Sequence, residues 1–210
     1  MRAAVAPLIL LACCSATLPE PLVKPEGDAA ALIAVRVRAI HPPEERLHGA
    51  IRAAWFVRFE AGTDPADGGD VVRSNYWDGG LVYLLNAPPG HYALVAVEER
   101  SEGQNIPTYL TTESIRNYPV AVEPGDWAMM GNYVVQQTKD LSGLDASQRY
   151  FRHYSYPPEN RKSGLGGTFG GFHEYRGRRV EVDREPATLE AQRRQAIKEL
   201  NAGGWVSPPR

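Results

Sequence analysis

The chain has 210 residues, 43% of them hydrophobic and 23% charged, with a formal net charge of −2. That length suits one domain with appendages and a core of its own, and a near-neutral balance excludes the basic footprint of a nucleic-acid binder. Gly 20 and Pro 17 point to many turns, and the two cysteines, Cys13 and Cys14, stand side by side near the start, so no disulfide framework can be drawn.

Met1 to Ser15 begins with Arg2 and continues into a short apolar run, Ala3 to Ala12. The run is too short for a permanent bilayer-spanning helix and has the layout of a secretory signal. Leu10-Leu11-Ala12-Cys13 resembles the lipobox of bacterial lipoproteins, whose signal is cleaved before a cysteine that then carries acyl chains. The resemblance implies a signal peptide over residues 1–12, Cys13 as the lipidated first residue, and the lipid bilayer as a partner. The alternative is an ordinary signal cut near Ala16. Cys14, where Asp would favour inner-membrane retention in such lipoproteins, implies the outer membrane, facing the periplasm. Residues 13–30, with Pro19, Pro21 and Pro25, suit a semi-extended tether.

Ala31 to Ile40 alternates Ile33, Val35, Val37 and Ala39 against Arg36 and Arg38, the period of a half-buried strand. Ile51 to Glu60 alternates again around Trp55, Val57 and Phe59. Val71 to Tyr76 is a shorter strand after the turn-rich Ala61 to Asp70. The stretch Leu81 to Arg100 is the centre of the chain. Two apolar runs flank Ala87-Pro88-Pro89-Gly90, which predicts a β-hairpin. Both faces of the runs are apolar, so the second face must be covered, by the C-terminal region in preference to a partner.

Pro107 to Thr111 suits an edge strand. Pro119 to Glu123 and Trp127 to Val135 predict a second hairpin around Glu123-Pro124-Gly125-Asp126. Asp145 followed by Gln148 predicts a capping box and a short helix ending at Tyr156-Pro157. His173 to Asp183 reads as a last hairpin. Pro186 to Asn201 is the best helix, with Leu189, Ala196, Ile197 and Leu200 as its apolar stripe, a Glu190–Arg194 pair, and Gly203-Gly204 as its stop; Trp205 packs back.

Short strands at regular spacing predict a mainly β chain, an antiparallel β-sandwich over residues 31–135 with a C-terminal α-containing cover over 136–210. Ala87-Pro88-Pro89-Gly90-His91-Tyr92-Ala93-Leu94 resembles the core hairpin of carboxypeptidase-regulatory-like and transthyretin-like domains, where the tyrosine packs inward. Tyr109 to Glu113, with Trp127 to Val135, is similar to uncharacterised bacterial lipoproteins. These resemblances imply an envelope setting and no activity.

Three catalytic patterns fail on the sequence. His41, Glu44, Glu45 and His48 have a suggestive spacing for metal, but two prolines between the first two prevent a helix from presenting them. Gly164 to Gly170 lacks the Lys of a phosphate loop, and no nucleophile motif occurs. His153 and His173 are the least poor catalytic candidates. From Arg149 to Arg184, aromatic residues interleave with arginines, among them Tyr154, Tyr156, Phe172, Tyr175 and Arg176. Such residues suit a glycan or anionic envelope polymer, or else cover the hairpin. The expectation is an envelope lipoprotein acting as a non-enzymatic binding or structural module for an envelope protein or glycan. It needs no cofactor or metal. The alternative is a hydrolase or a glycan- or peptide-processing protein using the Arg149–Arg184 region.

Overall fold

The structure, a computed structural model, describes residues 21–27, 29–43, 49–101, 104–156 and 173–206. Cys13, Phe172, Glu44, Glu45, His48 and Gly164 to Gly170 lie outside the described residues. Among the described residues ten strands run β1 Leu32–Ile40, β2 Ala50–Phe59, β3 Asp70–Arg73, β4 Tyr76–Asp78, β5 Leu81–Leu85, β6 Gly90–Ser101, β7 Gln104–Leu110, β8 Val120–Val122, β9 Trp127–Thr138 and β10 Tyr175–Asp183. The α-helices among them are α1 Thr112–Arg116, α2 Ala146–Ser155 and α3 Pro186–Leu200.

The strands hydrogen-bond into one sheet in the order β3-β2-β6-β7-β10-β9-β1-β5-β4, with β8 beside β6. The chain is therefore mainly β with a C-terminal helix. The hydrogen bonds give one large open mixed sheet, with β1–β9 and β7–β10 parallel, where an antiparallel two-sheet sandwich was expected. Only Ser74 and Asn75 separate β3 from β4, the two edges. The sheet curls, bringing β2 against β5. Ser74 holds the corner, donating its N–H to Ala54 O and accepting the Ala54 N–H on its hydroxyl, both at about 2.9 Å.

Neither Pro-Gly turn makes a hairpin. β5 pairs with β1 and β4, whereas β6 pairs with β2, β7 and β8. Likewise β8 pairs with β6, and β9 with β1 and β10. Both turns are crossovers between the β6 side and the β1 side of the sheet. At the first, Asn86 takes the left-handed conformation (φ 57°) and Ala87 N–H bonds Ala31 O at 2.9 Å. The two prolines that follow have no N–H to close a ladder. Tyr92 is fully buried, and its hydroxyl donates to Pro88 O at 2.6 Å, fixing the departing strand. At the second, Gly125 (φ 82°) closes a tight turn in which Asp126 N–H reaches Glu123 O at 3.0 Å.

The alternation of β1 divides between two cores. Ile33, Val35 and Val37 enter a cluster with Ala54, Phe56, Val82, Leu84, Val95, Val97 and Val135. Leu32 and Ala34 enter another, with Leu81, Tyr83, Leu85, Trp127 and Met129, beneath Ala196 and Leu200 of α3 and Trp205. The second apolar face is thus covered by the C-terminal region, as the sequence led one to expect. Burial of each large side chain contributes about 1.5–3 kcal/mol. Ile197, read as part of the apolar stripe, is 40% exposed; buried Gln192 takes that role. Its side chain accepts the N–H of Gly131 at 3.1 Å and donates to Asn132 Oδ1 at 2.9 Å, seating α3 on a bulge of β9 where Gly131 has φ 95°. Glu190 pairs with Arg194 at 3.6 Å as expected.

The capping box forms: Gln148 N–H donates to Asp145 Oδ1 at 2.8 Å, and Asp145 N–H to Gln148 Oε1 at 3.1 Å. Gln148 Nε2 also donates to Tyr109 O, tying α2 to β7. His173 to Asp183 contributes a single long strand, β10, set between β7 and β9. The C-terminal third therefore supplies part of the sheet as well as its cover. β7 is an interior strand where an edge was expected; Pro107 pairs with Glu98 on β6 and lies beyond the last β10 partner, Thr108. Residues read as tether are docked from Leu22 onward, where Leu22 and Val23 pack against the α3 core.

Candidate functional site

β6 carries an apolar alternation, Ala93 to Val97, into two acids, Glu98 and Glu99. Successive strand residues face opposite sides of a sheet, so the two carboxylates part. Both are at least 98% buried. Burying a carboxylate is costly unless it is paired or protonated, and the two acids meet that demand differently.

Glu98 is paired. Arg73 Nη2 on β3 donates to its Oε1 at 2.8 Å, and the Tyr156 hydroxyl at the end of α2 donates to Oε2. The Arg73 guanidinium lies 5.8 Å over the Trp55 ring, and Trp55 meets Tyr156 edge-on at 6.4 Å. Burial, reinforced by Glu98, pushes the Tyr156 hydroxyl pKa well up and keeps it protonated as a donor.

Glu99 has no Arg or Lys ion pair among the described residues. Gln137 Nε2 of β9 donates to Glu99 Oε1 at 3.2 Å and to Thr108 Oγ1 of β7 at 2.8 Å. His41 Nε2, just past β1, stands 3.7 Å from Oε2, which has no hydrogen-bond partner among the described residues. Burial pushes the Glu99 carboxyl up to about 7, against the pull of the Gln137 amide and the Gly49 N–H. A buried carboxyl there can exchange a proton near neutral pH, beside the His41 imidazole. The His41 side chain is only 14% exposed. Sequence reasoning missed this cluster; its signal was an apolar alternation ending in acids that keep the same inward and outward phase.

The residues chosen from sequence scatter. Tyr154 is 54% exposed on α2 and stacks with Tyr150 at 4.5 Å. Tyr156 belongs to the Glu98 site. Tyr175 is 1% exposed on β10, a core residue that offers no ring to a ligand. Arg176 donates to Gly143 O at 2.7 Å. Among the described residues no hydrogen bond or ion pair joins His153 or His173 to an acid; Glu174 pairs instead with Arg152, 2.9 Å from its Nε. Among the described residues the catalytic trio of two histidines and an acid is therefore not assembled.

At the opposite end of β2 and β6 lies a hollow of about 760 Å³ lined by Arg58, Glu60, Asp64, Asp67, Asp70 and His91 among others. Its acids are partly occupied. Asp64 accepts Ala66 N–H at 2.9 Å and the Arg116 Nε–H at 2.6 Å, and the Arg116 guanidinium holds its carboxyl below the usual range. Among the described residues no three His, Cys, Asp or Glu side chains gather to hold a metal ion. No helix among them is long and apolar enough to cross a membrane.

No protein-family model matches the chain, and no curated protein matches it. Among solved structures, a Bacteroides eggerthii chain described as a candidate cell adhesion protein aligns at 16% identity over 52% of this chain, with a TM-score of 0.17. This chain spans 45% of that one, and a likeness so slight carries no argument about fold or function.

Proposed function

We propose that the protein is a lipoprotein of the bacterial cell envelope, anchored through Cys13, on the outer membrane facing the periplasm, and acting as a non-enzymatic binding or structural module. The observation that carries the reading is the pairing of the lipobox-like Leu10 to Cys13 with an N-terminal segment built into the fold. Trp205 Nε1 donates to Val23 O at 2.8 Å, and Asn86 bonds both Glu26 N and Lys24 O. A segment so bound joins an anchor directly to the folded body. Multiple acyl chains would hold it stably. The curl that brings β2 against β5 supports a sandwich-like, transthyretin-like layering as part of the same proposal. The partner class is an envelope protein or glycan, met through exposed residues such as Tyr154.

The test is acyl labelling in a Gram-negative host. Wild type takes radiolabelled palmitate, and Cys13→Ser loses the label and accumulates as precursor. Normal processing of Cys13→Ser would overturn the lipoprotein reading. The second reading, an envelope hydrolase or processing protein, draws support from Glu99 and His41 rather than from the Arg149–Arg184 region. It requires turnover of an ester, peptide or glycan substrate that Glu99→Gln abolishes.

A further inference from the structure

The described N-terminal segment fixes where the anchor joins the body. Leu22 packs on Gly203 and Trp205: a Cβ added at Gly203 would meet Leu22 Cδ2 at 2.4 Å. Trp205 meets Trp127 edge-on at 6.3 Å and holds Val23. Further along, Gly125 N–H bonds Ala29 O at 2.8 Å, and Leu32 N–H bonds Asp126 O at 2.8 Å. All these contacts gather at the start of β1. At its other end stand His41, Glu99 and Gln137. The nine residues of β1 set the two ends roughly 30 Å apart.

We infer that the anchored domain stands on the bilayer in one orientation, with the Trp205 and Glu123–Asp126 end against the lipid surface and the Glu99 end turned away. The inference rests on the lipoprotein reading. Cys13 is nine residues from Leu22 in the sequence. Fully extended, that spacer reaches at most about 32 Å. Inverting the domain would take the spacer's full reach along the whole length of β1, so the clamped end stays down. The lipid surface is the partner of that end, where Val206, next to Trp205 in the chain, is 85% exposed. The buried acid cluster then lies at the end open to envelope partners.

The experiment uses the full acylated protein in vesicles of phosphatidylethanolamine and phosphatidylglycerol containing a headgroup-nitroxide lipid. In a Cys14→Ser background, a fluorophore is placed through Glu123→Cys or through Lys139→Cys, both exposed, at the clamped and far ends respectively. The Glu123→Cys label is expected to be quenched severalfold more than the Lys139→Cys label. Inserting about 20 Gly/Ser residues after Thr17 roughly triples the spacer's maximum reach and is expected to bring the two closer together. Equal or reversed quenching in the uninserted protein would overturn the inference. Intact mass separates the two failures: a protein without acyl chains sinks the lipoprotein reading, whereas an acylated one with reversed quenching sinks the orientation alone.

Discussion

Glu99→Gln is expected to stabilise the protein at pH 8 while leaving it nearly unchanged at pH 4.5. The wild-type carboxyl sits about 1% exposed with one oxygen lacking a donor. Below pH 4.5 it is protonated in both folded and unfolded chains and imposes no penalty. Between 4.5 and about 7 the unfolded chain ionises while the folded one stays neutral, so stability falls as pH rises. Above 7 the penalty is constant. The gap between 4.5 and 7, at about 1.4 kcal/mol per pH unit, comes to about 3 kcal/mol. A glutamine keeps the shape and does not titrate. Urea unfolding followed by tryptophan fluorescence, from pH 4.5 to 8.5, measures both proteins. The expected result is a difference in unfolding free energy that grows by about 3 kcal/mol between those limits and flattens above pH 7.5. A difference independent of pH, or one that favours wild type as pH rises, would show that the site holds an ionised carboxylate and would refute the reasoning.

Trp205→Ala removes a side chain 3% exposed, together with its bond to Val23; thermal unfolding should report a loss of about 3 kcal/mol, with new proteolysis near Leu22. Tyr83→Phe deletes the hydroxyl that donates to Glu199 Oε2 at 2.5 Å, the bond fastening α3 to β5; a loss of about 1.5–2 kcal/mol in chemical denaturation is expected, and no loss would mean that apolar packing alone holds the helix. Gly131→Ala places a Cβ 2.4 Å from Asp183 O at a φ of 95°, so a cost of about 2 kcal/mol or more is expected, read as a lowered melting temperature and weaker protection of α3 amides in hydrogen exchange.

Local pattern was legible. The alternation of Ile33, Val35 and Val37, the capping box of Asp145 and Gln148, the start of α3 at Pro186 and the return of Trp205 all follow from neighbours a few residues apart. The doubly apolar β5 and β6 also carried a non-local message, that another part of the chain must cover them. Tertiary structure decided which strands pair. A Pro-Gly turn reverses the chain, but a strand with two apolar faces gains as much beside a distant strand as beside its neighbour, so β5 went to β1 and β6 to β2. The same holds for the acids. Their place on β6 was written in the sequence, but Glu98 became the partner of Arg73 and Tyr156, and Glu99 a carboxyl poised near neutrality. That difference arose only because β3 and α2 brought Arg73 and Tyr156 to one face, while β1, β7 and β9 brought His41, Thr108 and Gln137 to the other. A charge's state depends on what folding places within a few ångströms of it, and spacing along the chain does not carry that information.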